Sequence, residues 1–310
     1  MPIKKFSCEY FQVVVENNME REPLFDLERW IEPIVIDDYE ENLREYKEDS
    51  ARVEEIYFHP TYNMWFLRFL RIREYDNPSF TSRERASRYM ELGDEYVSED
   101  VTCLYDPENS ILMIQKNSHS ITPLGLESYL NSMWEGEEII RLRRVASNDS
   151  FQKARRSERS RSIKIRIADL PEVREAGTIN RFQSVIGQAL QAVNGYDIPY
   201  VELTLSMGKY TGRDADLGED LLTPILNDIE NNPTAFDKAE VKVIEEGETK
   251  SEFINLFLDI VKDTIEFNIV RAEPLRFDVM MERLADKYCP GPNRNNRKAV
   301  IDGILLQNRR

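Results

Sequence analysis

The sequence predicts an α+β protein, with an N-terminal antiparallel meander with helices followed by an α/β sandwich-like second domain. Three observations carry this reading. Apolar and polar residues alternate through much of the first half, as in strands. From residue 162 onward, strand-like runs alternate with helix-like apolar stripes. Between the two halves lies a charge reversal, a basic island at residues 141–166 in a chain of net charge −16. With 310 residues and 41% hydrophobic content, the chain can fill two cores of ordinary size. The boundaries implied are an N-terminal α+β domain at 1–138, a basic connecting segment at 139–161, and a C-terminal α/β domain at 162–310 that ends in a basic tail.

In chain order, Phe6–Val15 alternates as a strand with one dry face, placing Phe6, Cys8 and Tyr10 opposite Phe11, Val13 and Val15. Leu24, Leu27, Ile31 and Ile34 fall on one helical stripe, which Pro33 and the acidic stretch after it interrupt. Val53–Phe58 and Met64–Arg73 flank a His59-Pro60-Thr61-Tyr62-Asn63 turn, a hairpin signature. Val101–Tyr105 and Ile111–Gln115 form a second hairpin around Asp106–Ser110. Thr122 opens a helix through Leu124, Tyr129, Leu130 and Met133. Beyond the island, strands are expected at Ser162–Leu170, Tyr200–Met207 and Ala239–Ile244, with helices at Arg181–Val193 and Leu221–Ile229. Phe253–Val270 fits both a helix and a strand, and a short helix is expected at Val279–Tyr288.

The start of the chain carries lysines without a following apolar run. No stretch reaches the roughly 18 apolar residues that a membrane span needs. A soluble, cytoplasmic protein without membrane insertion is therefore expected. Cys8, Cys103 and Cys289 are odd in number and far apart, which suits neither a disulfide framework nor a zinc knuckle. They read as reduced, mostly buried thiols, and no cofactor is expected.

Nucleophilic catalysis has little to draw on. The two histidines, His59 in a proline turn and His119 beside serines, are accompanied by no Gly-x-Ser-x-Gly elbow. The turn Ser206-Met207-Gly208-Lys209-Tyr210-Thr211-Gly212 lacks the glycine spacing of a phosphate loop, although its Lys209 can reach a nucleic-acid backbone. Asp228, with Glu240 and Lys242 sharing a strand face, forms a loose version of a metal-dependent nuclease pattern.

Binding chemistry is better served. The island holds ten cations against Asp149 and Glu158. Such a cationic stripe in an acidic protein marks a contact surface for an anionic partner. In Ser162–Leu170, Lys164 and Arg166 alternate with Ile163, Ile165 and Ile167, so the strand can bury its isoleucines and present its cations. Arg143, Arg144, Arg155, Arg156 and Arg159 extend the stripe, and arginine suits bidentate phosphate contact. Trp65–Arg73 also mixes aromatic residues with arginines that could stack on bases, but Trp65, Leu67 and Phe69 share one face as core residues do, and a core strand is the better reading.

The order of segments resembles that of a known group. The run from Leu92-Gly93-Asp94 through Val101–Asp106 and Ile111–Asn117 leads into a serine-containing loop and the helix ending Leu126–Leu130. The arginine-bearing strand Ile139–Val145, a polar spacer and the strand from Ser162 follow. This layout, over residues 6–207, resembles bacterial and phage proteins found with mobile elements and phage-defence genes. It is more distantly similar to the DNA-binding Rex exclusion sensor of lambdoid phages. The resemblance implies a dimeric, non-enzymatic, nucleic-acid-binding protein that senses or blocks invading DNA.

The reading that results is a nucleic-acid-binding component, with DNA favoured over RNA, of a phage-defence or exclusion system. Phosphate contact is assigned to Arg143, Arg144, Arg155, Arg156, Arg159, Lys164 and Arg166, with Lys209 as an addition. The alternatives are a metal-dependent nuclease using Asp228, Glu240 and Lys242, and an acidic module that binds a partner protein or mimics DNA.

Overall fold

The structure is a computed structural model. It describes the whole chain except residues 1–2, 17–21, 76–78, 83, 90–92, 94, 148, 168, 197, 209–214, 246–247, 249, 269–274, 293 and 308–310. The fold is mixed α+β, and every strand pair whose register is described runs antiparallel. The chain divides into two compact units, neither of them continuous in sequence. The first takes the residues up to Leu142 together with Lys262–Val300, and the second takes Arg143–Val261 and the residues from Ile301. Among the described residues no helix is long and apolar enough to cross a membrane.

The first unit is built on the strands β1 (Ile3–Val15), β2 (Arg44–Tyr46), β3 (Asp49–His59), β4 (Met64–Arg73), β7 (Val97–Asp106), β8 (Ile111–Gln115) and β14 (Lys262–Asn268). They lie in the order β14-β1-β8-β7-β4-β3-β2, and β9 (Ile140–Arg144) also pairs with β1. A separate hairpin joins β5 (Ser79–Ser82) to β6 (Arg85–Tyr89). Both expected hairpins form, at the turns between β3 and β4 and between β7 and β8. Each uses a residue with positive φ, Asn63 and Ser110. Helix α2 (Pro123–Met133) starts where the Thr122 hydroxyl accepts the Gly125 N–H at 3.1 Å, with proline in its first turn.

The first strand was expected to keep one dry face, but both faces of β1 are covered. Phe11 and Val13 join Trp30 of the short helix α1 (Glu28–Ile31) and Leu126, Tyr129 and Leu130 of α2 in one core cluster. On the other side, Tyr10 stacks on Tyr288 of α7 (Phe277–Tyr288), their ring centroids 6.1 Å apart, and Phe6 packs edge-on against Phe267. Covering on both sides is why Val101–Asp106 and Ile111–Gln115 are buried without alternation. The helix expected over Leu24–Ile34 shrinks to α1. Its first residues instead run along β1, with Val15 donating to the Pro23 carbonyl and Phe25 to that of Val13.

The second unit has a four-stranded sheet ordered β11-β10-β12-β13, made of β10 (Arg159–Ile167), β11 (Val201–Ser206), β12 (Lys238–Ile244) and β13 (Glu252–Asn255). Its helices are α3 (Asp149–Arg156), α4 (Leu170–Glu175), α5 (Val185–Val193), α6 (Glu219–Asn231) and, from Ile301 on, the end of α8 (Arg297–Gln307). Ile163, Ile165, Ile167, Ala239, Val241 and Val243 are buried. So are Ile186 and Leu190 of α5 and Ile225, Leu226 and Ile229 of α6. One sheet face is thereby interior and the other is open.

Two differences from the linear division are physical. The segment expected to be a basic connector contains β9 and α3 and is an ordered part of the fold. Lys262–Val300, expected in the second domain, clusters with the first unit, because β14 pairs with β1 from Ile3↔Asn268 to Glu9↔Lys262. The ambiguous Phe253–Val270 segment resolves into two strands, β13 and β14.

Candidate nucleic-acid interface

The open face of the second sheet is a grid whose rows follow from register. The first row is Ser206, Ser162, Lys242 and Phe253; the second is Thr204, Lys164, Glu240 and Asn255; the third is Glu202, Arg166 and Lys238. Alternation drives the isoleucines of β10 inward and leaves Lys164 and Arg166 on this face, as the sequence pattern implies. Phe253 is 67% exposed, and the Lys242 ammonium lies 5.4 Å from its ring centroid. Lys242 has no ion pair to any described residue.

The other cations of the face are engaged. Lys164 lies 2.8 Å from Glu202, Arg166 grips Asp237 through Nε and Nη2 at 2.9–3.1 Å, and Lys238 lies 3.1 Å from Glu240. Hydrogen bonding from Lys164 holds the Glu202 carboxyl below its ordinary range, and the Asp237 contact raises the Arg166 guanidinium.

The remaining island residues do not form one stripe. Arg143 and Arg144 are half-buried in β9, and Arg144 donates to the carbonyls of Pro233 and Phe236 at 2.7 and 3.3 Å. Arg155 bonds Asn227 and Glu230 from α3, and Arg159 lies 3.5 Å from Glu158. Lys153 bridges Glu245 and Glu252, whose hydrogen bonds push its ammonium up to about 12. Arg156 is exposed, and no described residue pairs with it. Arg141 is fully committed in the first unit, buried between Glu127 and Glu16. Lys209 lies outside the described residues. The charge reversal seen along the chain is thus largely cancelled in space by carboxylates that fold beside it.

The nuclease pattern does not assemble. Asp228 is buried on α6 and accepts the backbone N–H groups of Gln183 and Ser184 at 2.9 Å each, fixing the start of α5. Glu240 stands on the solvent face beside Lys238. Among the described residues no group of three or more His, Cys, Asp or Glu is placed to hold a metal ion. All three cysteines are buried free thiols. Burial pushes Cys8 up to about 12, Cys289 up to about 11, and Cys103 higher still, so none is a ready nucleophile. His119 is exposed, and His59 stacks on Tyr62 with its ring centroid 4.0 Å away. In β4, Leu67 and Phe69 join the core, while Arg68 and Arg71 pair with Glu55, Asp100 and Asp49, so this strand serves packing.

Sequence reasoning missed Phe253 and Lys238 as members of the face. The signal was present in Lys238, Glu240 and Lys242, which alternate with Ala239, Val241 and Val243 just as Lys164 and Arg166 alternate with isoleucines.

These features define a two-unit α+β protein whose second unit carries a polar sheet face with an exposed aromatic residue. The chain belongs to the family of unknown function DUF6731, whose model matches residues 1–299. No curated protein matches it.

Proposed function

We propose that the protein binds single-stranded nucleic acid on the open face of the second unit's sheet. The observation that carries this is the Lys242 ammonium, without an ion pair to any described residue, over the exposed Phe253 ring, on the same face as Lys164, Arg166 and Lys238. Cations two residues apart on a strand are about 7 Å apart, a spacing from which they can follow a phosphate backbone. An exposed ring on a sheet is a stacking platform for a base, and it serves any sequence because every base has a π-face. The pairs made by Lys164, Arg166 and Lys238 are partly exposed and solvent-screened, of a kind that adds little to stability, so phosphate can replace a carboxylate partner at modest cost.

The test is fluorescence anisotropy with labelled oligo-dT, oligo-rU and a duplex across a salt series. Four phosphate contacts on a single strand give a slope of log K against log salt of about −2.8, or roughly fifty-fold weaker binding between about 50 and about 200 mM salt. Removing Lys164 and Lys242 together with alanine should halve the slope to about −1.4. Phe253→Ala should lose about 1–3 kcal/mol of binding while leaving stability unchanged. Absence of binding at low salt, or a slope that the double variant does not alter, would overturn the proposal. A role in phage exclusion rests on the resemblance of segment order. It requires that the wild-type gene lower phage plating and that the double variant fail to do so.

A further inference from the structure

A cluster of exposed carboxylates lies in the first unit, around Asp38, Glu41 and Glu135. A groove of about 600 Å³ runs between the segment after α1 and the C-terminal end of α2. Its apolar lining includes Pro33, Ile34, Val35, Met133 and Trp134, and Val35 is 64% exposed. Asp38, Glu41 and Glu135 line its rim, with Asp37, Glu40 and Glu137 beside them in sequence. All six carboxylates are exposed, and none has a cation within salt-bridge distance among the described residues.

The two arginines of the groove, Arg29 and Arg44, are held against its wall by contacts of their own and pair with none of these six carboxylates among the described residues. Arg29 lies over Trp134, 4.9 Å from its centroid, and pairs with Glu138 at 2.9 Å. Arg44 donates to the carbonyls of Glu41, Leu43 and Ser132. Trp134 also packs edge-on against Phe25, with centroids 5.0 Å apart. The groove therefore has a fixed apolar floor and a rim of free negative charge.

We propose that this groove docks a basic segment of a partner protein, with an apolar side chain seated on Val35, Met133 and Trp134 and flanking Lys or Arg residues reaching Asp38, Glu41 and Glu135. Charge complementarity selects this occupant. An acidic or neutral peptide would leave the rim charges unpaired or repelled, and Lys153, Arg155, Lys164 and Arg166 of the chain's own island are engaged in pairs of their own. An apolar anchor in a pocket with charges around it is the usual arrangement of a peptide interface.

The experiment titrates the full chain into three labelled probes: a short amphipathic Lys/Leu peptide, a Lys/Ser peptide of equal charge, and a Glu/Leu peptide. The expected result is salt-sensitive binding of the Lys/Leu peptide alone. The triple variant Asp38→Asn/Glu41→Gln/Glu135→Gln should weaken it roughly tenfold, since each exposed pair contributes modestly. Val35→Ser should weaken it further. A control triple, Glu219→Gln/Asp220→Asn/Glu282→Gln, changes net charge equally at other exposed positions and should leave binding within about twofold. Equal weakening by both triples would show unspecific attraction to an acidic chain and overturn the proposal. Equal binding of the Lys/Ser peptide would overturn it too, by removing the apolar floor from the interaction. Failure of the Lys/Leu peptide to bind, including failure because a second copy occupies the groove in sedimentation measurements, would also overturn it.

Discussion

Replacing Asp263 with asparagine is the sharpest test of how the first unit is held together. Asp263 on β14 is 8% exposed at its side chain. It accepts the Tyr10 hydroxyl at 2.8 Å and two N–H bonds from Arg297 at 2.6 Å each, with the Lys287 ammonium 3.8 Å away. The Asp263→Asn change would keep the shape but remove the charge that both cations face. Breaking a buried pair from one side costs about 3–5 kcal/mol, because the remaining charge stays desolvated. Arg297 is 28% exposed at its side chain, so water reaches it and the lower end, about 3 kcal/mol, applies. For a unit of this size, that corresponds to a fall in Tm of roughly 6–12 °C, followed by circular dichroism. The double variant Asp263→Asn/Arg297→Gln removes both charges and should recover at least half of the loss, which is the coupling a double-mutant cycle measures. A single variant within about 2 °C of wild type, or a double variant that equals the sum of the singles, would refute the argument.

Thiol reagents at mild alkaline pH should leave Cys8, Cys103 and Cys289 untouched in the native protein and label all three after unfolding; fast native labelling of any one would contradict its burial. The raised thiols, together with Tyr105 and Tyr129 pushed up to about 12, also fix the sign of an alkaline transition. The folded state keeps protons that the unfolded chain loses above the ordinary values of 9.0 and 10.0. Stability should therefore fall as pH rises from 9 toward 12, by up to about 1.4 kcal/mol per pH unit for each group, as urea titrations would show. A methyl group added at Gly136 meets Trp134 at 2.5 Å and Glu138 at 2.6 Å, so Gly136→Ala should shift the indole, cost about 1–3 kcal/mol and weaken Lys/Leu peptide binding. Gly187→Ala meets the Phe182 carbonyl at 2.8 Å in α5 and should cost a similar amount in the second unit, measurable by thermal melting.

What was legible in the sequence was local. The two large hairpins could be read because turn residues such as Asn63 and Ser110 stand between alternating runs, and α2 because Thr122 announces its start. The association of β14 and α7 with β1 was not legible, since periodicity identifies a strand but not its neighbour across most of the chain. The interface shows the same asymmetry. Alternation in β10 correctly gave the face on which Lys164 and Arg166 stand. The partners that neutralise the cations lie far along the chain, Glu230 at 75 residues from Arg155 and Asp237 at 71 from Arg166, so a run of arginines looked more strongly cationic than it is. Arg297 and Lys298, read as part of a basic tail, are instead the counterions of the buried Asp263 and Asp106.

The second unit's main segment leaves the first after Leu142 and returns at Lys262. Its two ends are laced together, with Val261 donating to the Val145 carbonyl at 2.9 Å, Ala146 bridging Ile260, and Ser147 donating to the Asp259 carbonyl at 3.2 Å. While this neck holds, the first unit sees a short closed connection. If the inserted unit melts, the first unit must tether a disordered loop of about 120 residues, whose closure entropy is worth about 4 kcal/mol as (3/2)RT ln n. The stability of each unit therefore includes a chain-entropy contribution from the other. A ligand that tightens the inserted sheet would raise the melting temperature of the first unit without touching it.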